Sequence, residues 1–510
     1  MKVNQLRAGV IMTYVNIGLG SLIPFVYTPI MLRLLGQSEY GLYSLANSVV
    51  GYLSLLSFGL GSTIVRYVAK YRAEGNKEQE EKVIGLFIAM YSVLALFVLV
   101  GGWILSCNVE PIFHRGLTET EIGKIAVLVR IMAFNTAISF PISVFGSIVM
   151  AHEKYIYRQA VNILSTVAAP CCNLIALYLG FGSIGLSIVT TIIQFMMLPL
   201  NAVYCFKVLK IRPKFRGLPV QLIRELVQFS AFIFLGSVVD MLFWATDKVI
   251  LGMLASTAVI AVYNIGTSFN TMMTNISTAF SGVLTPKVTV MITKDASPEQ
   301  LTELFIRVGR LQYLIIALAL SGFIVFGKQF ITLWAGSGYE DAYYIALVTL
   351  IPLAVPLIQN TGLSIVVAQN KHQFRSVVYL VIAILNVVST YITVPYWGGL
   401  GAAVCSGISY VMGQVIIMNI YYYKVTKLNI PLFWKNIGKM SVIPVLMILG
   451  GMWGNSVIDL TSWGALILGI VIYTGVYSAG MYCIAMNNYE KDVIRKPLNK
   501  LLVKIGIRRV

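Results

Sequence analysis

Apolar runs of about 20 residues or more recur along almost the whole chain, and no other feature restricts its fold as severely. A helix of about 20 residues rises about 30 Å, enough to cross the hydrocarbon of a bilayer. Hydrocarbon offers peptide groups no hydrogen-bond partner, so a crossing segment must satisfy its own backbone as a helix or close with others into a barrel. A barrel needs alternating segments of about ten residues, and the sequence has none of that pattern. The expected crossings are 8–32, 41–65, 83–105, 125–150, 160–180, 184–206, 227–254, 258–284, 311–333, 342–368, 377–396, 399–422, 440–457 and 463–485. The predicted fold is an all-α polytopic membrane protein of about fourteen transmembrane helices. Composition agrees: 11% of the 510 residues are charged, against about 25% in soluble domains.

The formal charge is +18. Nucleic-acid binding would need basic patches on a water-exposed fold, and here the cations sit in short loops between apolar runs. With the N-terminus inside, 32 of the 38 Lys and Arg residues fall on the inner side. Arg33, Arg115, Lys124 and Lys328 fall outside, and Arg130 and Lys248 lie within spans. That asymmetry predicts a plasma-membrane protein with both termini cytoplasmic. The N-terminal run lacks a small-residue cleavage pattern and reads as a retained span. The six cysteines have neither metal-ligand spacing nor a disulfide framework. No nucleotide loop, zinc motif or catalytic constellation appears, and the loops leave no room for an extramembrane catalytic domain.

The two halves echo each other. Gly41-Leu42-Tyr43 matches Ala261-Val262-Tyr263, VMAHEKYIYR at 149–158 matches VVAQNKHQFR at 366–375, and the segment at 182–185 matches 398–401, at shifts near 216–220. Six spans per repeat is even, so the repeats insert the same way up, as in transporters whose two lobes rock about a central cavity. The expected organisation is a six-helix lobe at 1–215, a second at 216–430, an accessory helix pair at 431–488 and a basic amphipathic tail at 489–510. In the tail, Ile494, Leu498, Leu501 and Ile505 share one face and basic residues another, suited to anionic lipid; the alternative is a disordered tail. Thr118/Glu121 and Ser297/Gln300, the latter followed by Pro298, read as capping boxes of local helices.

Polar groups inside spans are costly and point to function. Asp240, Trp244 and Asp247 are spaced four and three, which places them on one helix face with Lys248 at its edge; the face lines a water-filled cavity, or Asp240 is structural and Asp247 and Lys248 sit at the interface. Asn264, Ser268, Thr271, Asn275 and Thr278 form a stripe that faces a cavity or a neighbouring helix. Asn16 and Tyr27 lie in the first span beside Pro24 and Pro29. Arg7, Arg33, Arg66, Arg130 and Lys248 can present cations to an anionic ligand, Arg forks being suited to phosphate; Arg66 also fits an inner-side anchor and Arg130 a snorkelling side chain. Without a nucleotide site, a proton or sodium gradient or the membrane potential is the expected drive, with the intramembrane acids as carriers.

The passages LRLLGQSEYGLYSLANSVVGYLSLLSFGLGSTIVRYVAKY (32–71), DKVILGMLASTAVIAVYNIGTSF (247–269) and VVAQNKHQFR (366–375) resemble the polysaccharide repeat-unit flippases, the O-antigen and teichuronic-acid exporters. These belong with the lipid II flippases and the multidrug and toxin extrusion transporters, and the resemblance covers the first twelve spans. It implies translocation of undecaprenyl-diphosphate-linked oligosaccharide from the cytoplasmic to the outer leaflet. Cations would hold the diphosphate, and polar or aromatic side chains the sugars. By position, Arg33 resembles the cation late in the first span of lipid II flippases, and Arg66 the one near their second. The acidic proton site of some extrusion proteins has no clear match in the N-terminal half. The expected partners are membrane lipids, the lipid-linked substrate and polysaccharide polymerase machinery; the alternative is an exporter of small amphipathic or cationic compounds.

Overall fold

A computed structural model describes residues 5–493 other than 58, 59, 219, 295, 370 and 372, together with residue 495; side chains at 6, 7, 220, 221, 224, 226–233, 279–287 and 289 lie outside the description. The Arg7 side chain and most of the expected basic tail, including Ile494, Leu498, Leu501 and Ile505, fall outside the described residues.

Every regular element among the described residues is helical. The order is α1 (Gln5–Leu35), α2 (Gln37–Ser54), α3 (Leu60–Ala73), α4 (Lys77–Cys107), α5 (Val109–Phe113), α6 (Glu119–Ala151), α7 (Tyr155–Tyr178), α8 (Gly182–Val203) and α9 (Val220–Trp244). It continues with α10 (Thr246–Leu254), α11 (Thr257–Thr293), α12 (Pro298–Ala335), α13 (Asp341–Ile358), α14 (Asn360–Ala368), α15 (Gln373–Tyr410), α16 (Met418–Lys424), α17 (Ile430–Val457) and α18 (Trp463–Gly480). Eleven helical stretches among the described residues are long and apolar enough to cross a membrane. One of them, Gln373–Lys424, has 52 residues, and Gly398 turns it at a φ of 53° between the expected crossings 377–396 and 399–422. That conformation belongs to glycine, because a Cβ would clash with the following carbonyl. The expected run 227–254 is interrupted at Ala245, and 342–368 at Gln359.

Polar caps fix several helix starts. The Asn76 side chain accepts from the Gln79 amide to open α4, and Asn429 does the same from Leu432 for α17. The two capping boxes form, but they open α6 and α12, of 33 and 38 residues, and not short local helices. Each helix runs on from its box into an apolar run, and a helix ending inside hydrocarbon would leave its last carbonyls unpaired. Pro24 and Pro29 in α1, Pro141 in α6, Pro170 in α7 and Pro352 and Pro356 in α13 are carried within their helices.

The packing divides the chain into two units: Met1–Asn264 with Ala383–Ala402, and Ile265–Ile382 with Ala403–Val510. In the first, α6 is the central element, packed on α2, α3, α4 and α8, while α1 lies on α7. Small residues permit the approach: a Cβ on Gly102 of α4 would come within 2.2 Å of the Ala133 Cβ on α6. In the second unit α12 is central, packed on α13, α14, α17 and α18.

The second unit also holds a buried ion pair. Arg310 of α12 donates through Nε to Glu490 Oε1 at 2.5 Å and through Nη2 to Glu490 Oε2 at 2.9 Å; the same Nη2 donates to the Ala485 carbonyl at 2.9 Å. Glu490 is 1% exposed and also accepts from the Asn487 amide. The bond ties the segment after α18 to α12. Arg310→Ala is expected to destabilise the protein by about 3–5 kcal/mol, because it strands a buried carboxylate; Arg310→Met with Glu490→Gln should cost far less. Thermal unfolding in detergent checks this, and an unchanged midpoint in the single variant would refute the assignment.

Candidate functional site

Among the described residues of the first unit, the most buried carboxylate sits where a span is interrupted. Ala245, at φ −114° and ψ −31°, separates α9 from α10. The carboxylate that follows, Asp247, is 1% exposed. Tyr263 Oη of α11 donates to Asp247 Oδ2, and Thr390 Oγ1 of α15 donates to Oδ1 at 3.4 Å. Thr390 is fully buried, as is Asn386 one turn before it. Beside them, Thr246 Oγ1 and Tyr52 Oη of α2 share a hydrogen bond. One residue past Tyr263, Asn264 Nδ2 donates to Tyr40 Oη of α2 at 2.6 Å.

The interruption redistributes the expected face. Asp247 turns into the protein, whereas Asp240 and Trp244 on α9 are exposed. Spacing of four and three holds a common face only along an unbroken helix. Lys248, next to Asp247 on α10, is half-buried. Within the stripe of α11, Asn264 makes the bond across to α2; Ser268 and Thr278 donate to carbonyls of their own helix, at 2.7 and 2.9 Å, and Thr271 and Asn275 are exposed. Arg33 is exposed in the last turn of α1, where a cation also complements the helix dipole, and Arg66 is exposed on α3. Asn16 accepts from Thr166 of α7 at 3.2 Å, so it ties two helices. Arg130 donates to Ser106 at 3.0 Å and lies over the Trp103 ring at 4.8 Å, both on α4.

A second polar cluster joins several helix starts in the same unit. Glu121 Oε1 accepts from Ser38 Oγ and from Thr257 Oγ1, each at 2.7 Å, while its Oε2 accepts from the Thr118 amide at 2.9 Å as part of the α6 cap. Glu39 accepts from the Ser183 amide and hydroxyl at 3.1 and 2.9 Å, and Lys124 stands 3.5 Å from its other oxygen. Glycines allow these starts to meet. A Cβ on Gly41 would lie 1.8 Å from the Thr257 carbonyl oxygen, and one on Gly116 would lie 2.2 Å from that of Gly252.

Sequence reading missed Tyr52, Thr390, Asn386 and the Ser38–Glu121–Thr257 cluster. Asn386 and Thr390, four apart in an apolar run, were the available signal. Chemically, a buried carboxylate that accepts from two hydroxyls can take up a proton or a small monovalent cation. Either event changes the bonds that join α10, α11 and α15. Among the described residues no group of three His, Cys, Asp or Glu side chains converges as a metal site.

Residues 6–291 match the model of the family described as polysaccharide biosynthesis protein. Over 491 residues the chain is 20% identical to an uncharacterized membrane protein, EpsK, of Bacillus subtilis (strain 168), covering 93% of this chain and 94% of that one. Its fold is similar to that of the lipid II flippase MurJ in an inward closed conformation, with a TM-score of 0.72 at 15% identity over 93% of this chain and 98% of the other. A multidrug resistance MATE family transporter of the MOP superfamily aligns with a TM-score of 0.57 at 14% identity, over 80% of this chain and 96% of its own. With its many apolar helices, the chain is a multi-pass membrane protein of MurJ/MATE-like fold.

Proposed function

The chain belongs to the polysaccharide biosynthesis protein family, and on that premise we propose that it is a flippase. It carries undecaprenyl-diphosphate-linked oligosaccharide repeat units from the cytoplasmic to the outer leaflet of the cell membrane by alternating access, for surface polysaccharide synthesis. The family match over residues 6–291 carries the reading. The end-to-end likeness of fold to a lipid II flippase supports it.

In this reading both termini are cytoplasmic, which the Lys and Arg asymmetry supports. Arg33 and Lys248 hold the diphosphate, with Arg66 at the cytoplasmic entry. Asn264, Asn275, Trp244 and Asp240 serve the sugars, as does Thr271. Asp247 takes the coupling proton or sodium ion, drawn by the gradient or the membrane potential. The product in the outer leaflet is then available to polymerase machinery.

Removal of the chain from its host should leave lipid-linked glycan in the inner leaflet, and re-expression should clear it. Arg33→Ala and Lys248→Ala should each slow flipping about tenfold, the loss of one charge-assisted contact, at unchanged membrane abundance. Flipping at the wild-type rate in both variants would sink those two roles. The fold likeness to a MATE transporter favours a second reading, an ion-coupled exporter of small amphipathic or cationic compounds. That reading predicts drug sensitivity with normal surface polysaccharide in the deletion strain.

A further inference from the structure

A cavity of about 700 Å³ lies inside the first unit, away from Asp247, at the end that carries the turn between α6 and α7. Four helices line it: Ser62 from α3, Ser139 and Ser143 from α6, Asn162 and Ser165 from α7 and Gln194 from α8. Its size falls within the ~300–1,000 Å³ of ligand pockets. Asn162 and Ser165 stand about 10 and 15 Å along the axis of α7 from Tyr155, so the lining reaches well into the span.

The composition of this lining is selective. Hydroxyls and amides inside a span are costly unless they meet partners, and four helices bring them to one space. Among the described residues, the lining contains no carboxylate and no aromatic ring. The cation among them, Arg158, turns Nη1 onto the Gly146 carbonyl at 2.9 Å and Met150 Sδ at 3.2 Å. Glycine keeps the space open: a Cβ on Gly146 would meet nothing within 4 Å, and one on Gly61 would reach the Ser147 and Ser143 hydroxyls at 3.7 and 3.8 Å. Hydroxyls and amides that both donate and accept match the hydroxyl and acetamido groups of a neutral sugar. They offer little to an organic cation, which would need a carboxylate or a ring.

We propose that this cavity binds one neutral hexose or N-acetylhexosamine residue of the lipid-linked glycan on the cytoplasmic side, before translocation. The assignment rests on the flippase reading for the identity of its ligand, and on the lining alone for its chemistry. The site holds the first sugar while the diphosphate stays at the cytoplasmic entry with Arg66, which follows the lining residue Val65 on α3, before it passes to Arg33 and Lys248.

The test uses the full-length protein in nanodiscs carrying Ser143→Cys or, separately, Ser165→Cys. Iodoacetamide alkylation of the introduced thiol is followed by peptide mass spectrometry, with the exposed native Cys483 as internal reference. Glucose or N-acetylglucosamine at about 50 mM should slow alkylation roughly threefold at both positions, as for a site with a dissociation constant in the tens of millimolar. Adding Gly146→Phe, which fills the space, should abolish the protection without slowing Cys483. No protection by either sugar, protection matched by glycerol, or protection by inorganic phosphate alone would overturn the proposal. Flipping by the wild-type chain is measured separately in vesicles. Failure there sinks the transport reading, whereas sugar protection at the two thiols stands or falls on its own.

Discussion

Asp247→Asn is expected to lower flipping at least tenfold, a change of about 1.4 kcal/mol or more in the limiting barrier, while the protein remains folded and abundant in the membrane. The amide keeps nearly the shape of the carboxylate: its oxygen can still accept from one of the two hydroxyls, Tyr263 or Thr390, while its NH2 can donate to the oxygen of the other. What it loses is the charge, and with it the means to take up a proton or a cation. On the coupling role proposed for Asp247, the residual rate should no longer respond to an imposed sodium or pH gradient. Asp247→Ala goes further: it removes the acceptor for both hydroxyls, at about 1–3 kcal/mol for a buried group stripped of its partner. Flux measured in proteoliposomes with imposed gradients checks both. Gradient-dependent transport by Asp247→Asn at the wild-type rate would exclude the carboxylate from coupling.

Gly41→Leu is expected to have the largest effect on folding. Even the first side-chain carbon would sit 1.8 Å from the Thr257 carbonyl oxygen, a backbone atom that cannot rotate away. The start of α2 would have to move off the start of α11, pulling apart Ser38 and Thr257, which both donate to Glu121 Oε1. Overpacking costs about 1–3 kcal/mol where side chains can adjust, and more where the obstacle is backbone. The variant should yield little monodisperse protein. Gly236→Ala, on α9, meets nothing within 4 Å and should behave as the wild type. Size-exclusion profiles of the two compared with wild type decide it, and a normal profile for Gly41→Leu would contradict the close approach.

The helical architecture was legible because it follows from one strong local demand: a backbone in hydrocarbon must bond to itself. The capping boxes at Thr118 and Ser297 were legible too, since their partners lie three residues away. What could not be read was the interruption at Ala245. Neither proline nor glycine marks it, and tertiary packing, not propensity, decides it. That single interruption separates Asp247 from Asp240 and Trp244, which spacing had placed on one face. The partners of Asp247 are remote in the chain, Tyr263 by 16 residues and Thr390 by 143, so no window of sequence contains the site. In the sequence Tyr263 stands out only as the counterpart of Tyr43 in the repeat. Asn16 and Arg130 show the reverse case: a polar residue in a span invites a cavity assignment, and each is bonded to the helix beside it.

The two oxygens of Glu121 divide their labour. One belongs to the α6 cap, through the Thr118 amide, and the other holds Ser38 and Thr257. The beginnings of α2 and α11 can therefore let go of this residue without fraying the helix that presents it. A fastener that stays sewn to one side when undone can be closed again many times, and repeated cycling demands that of any protein that resets after each passenger.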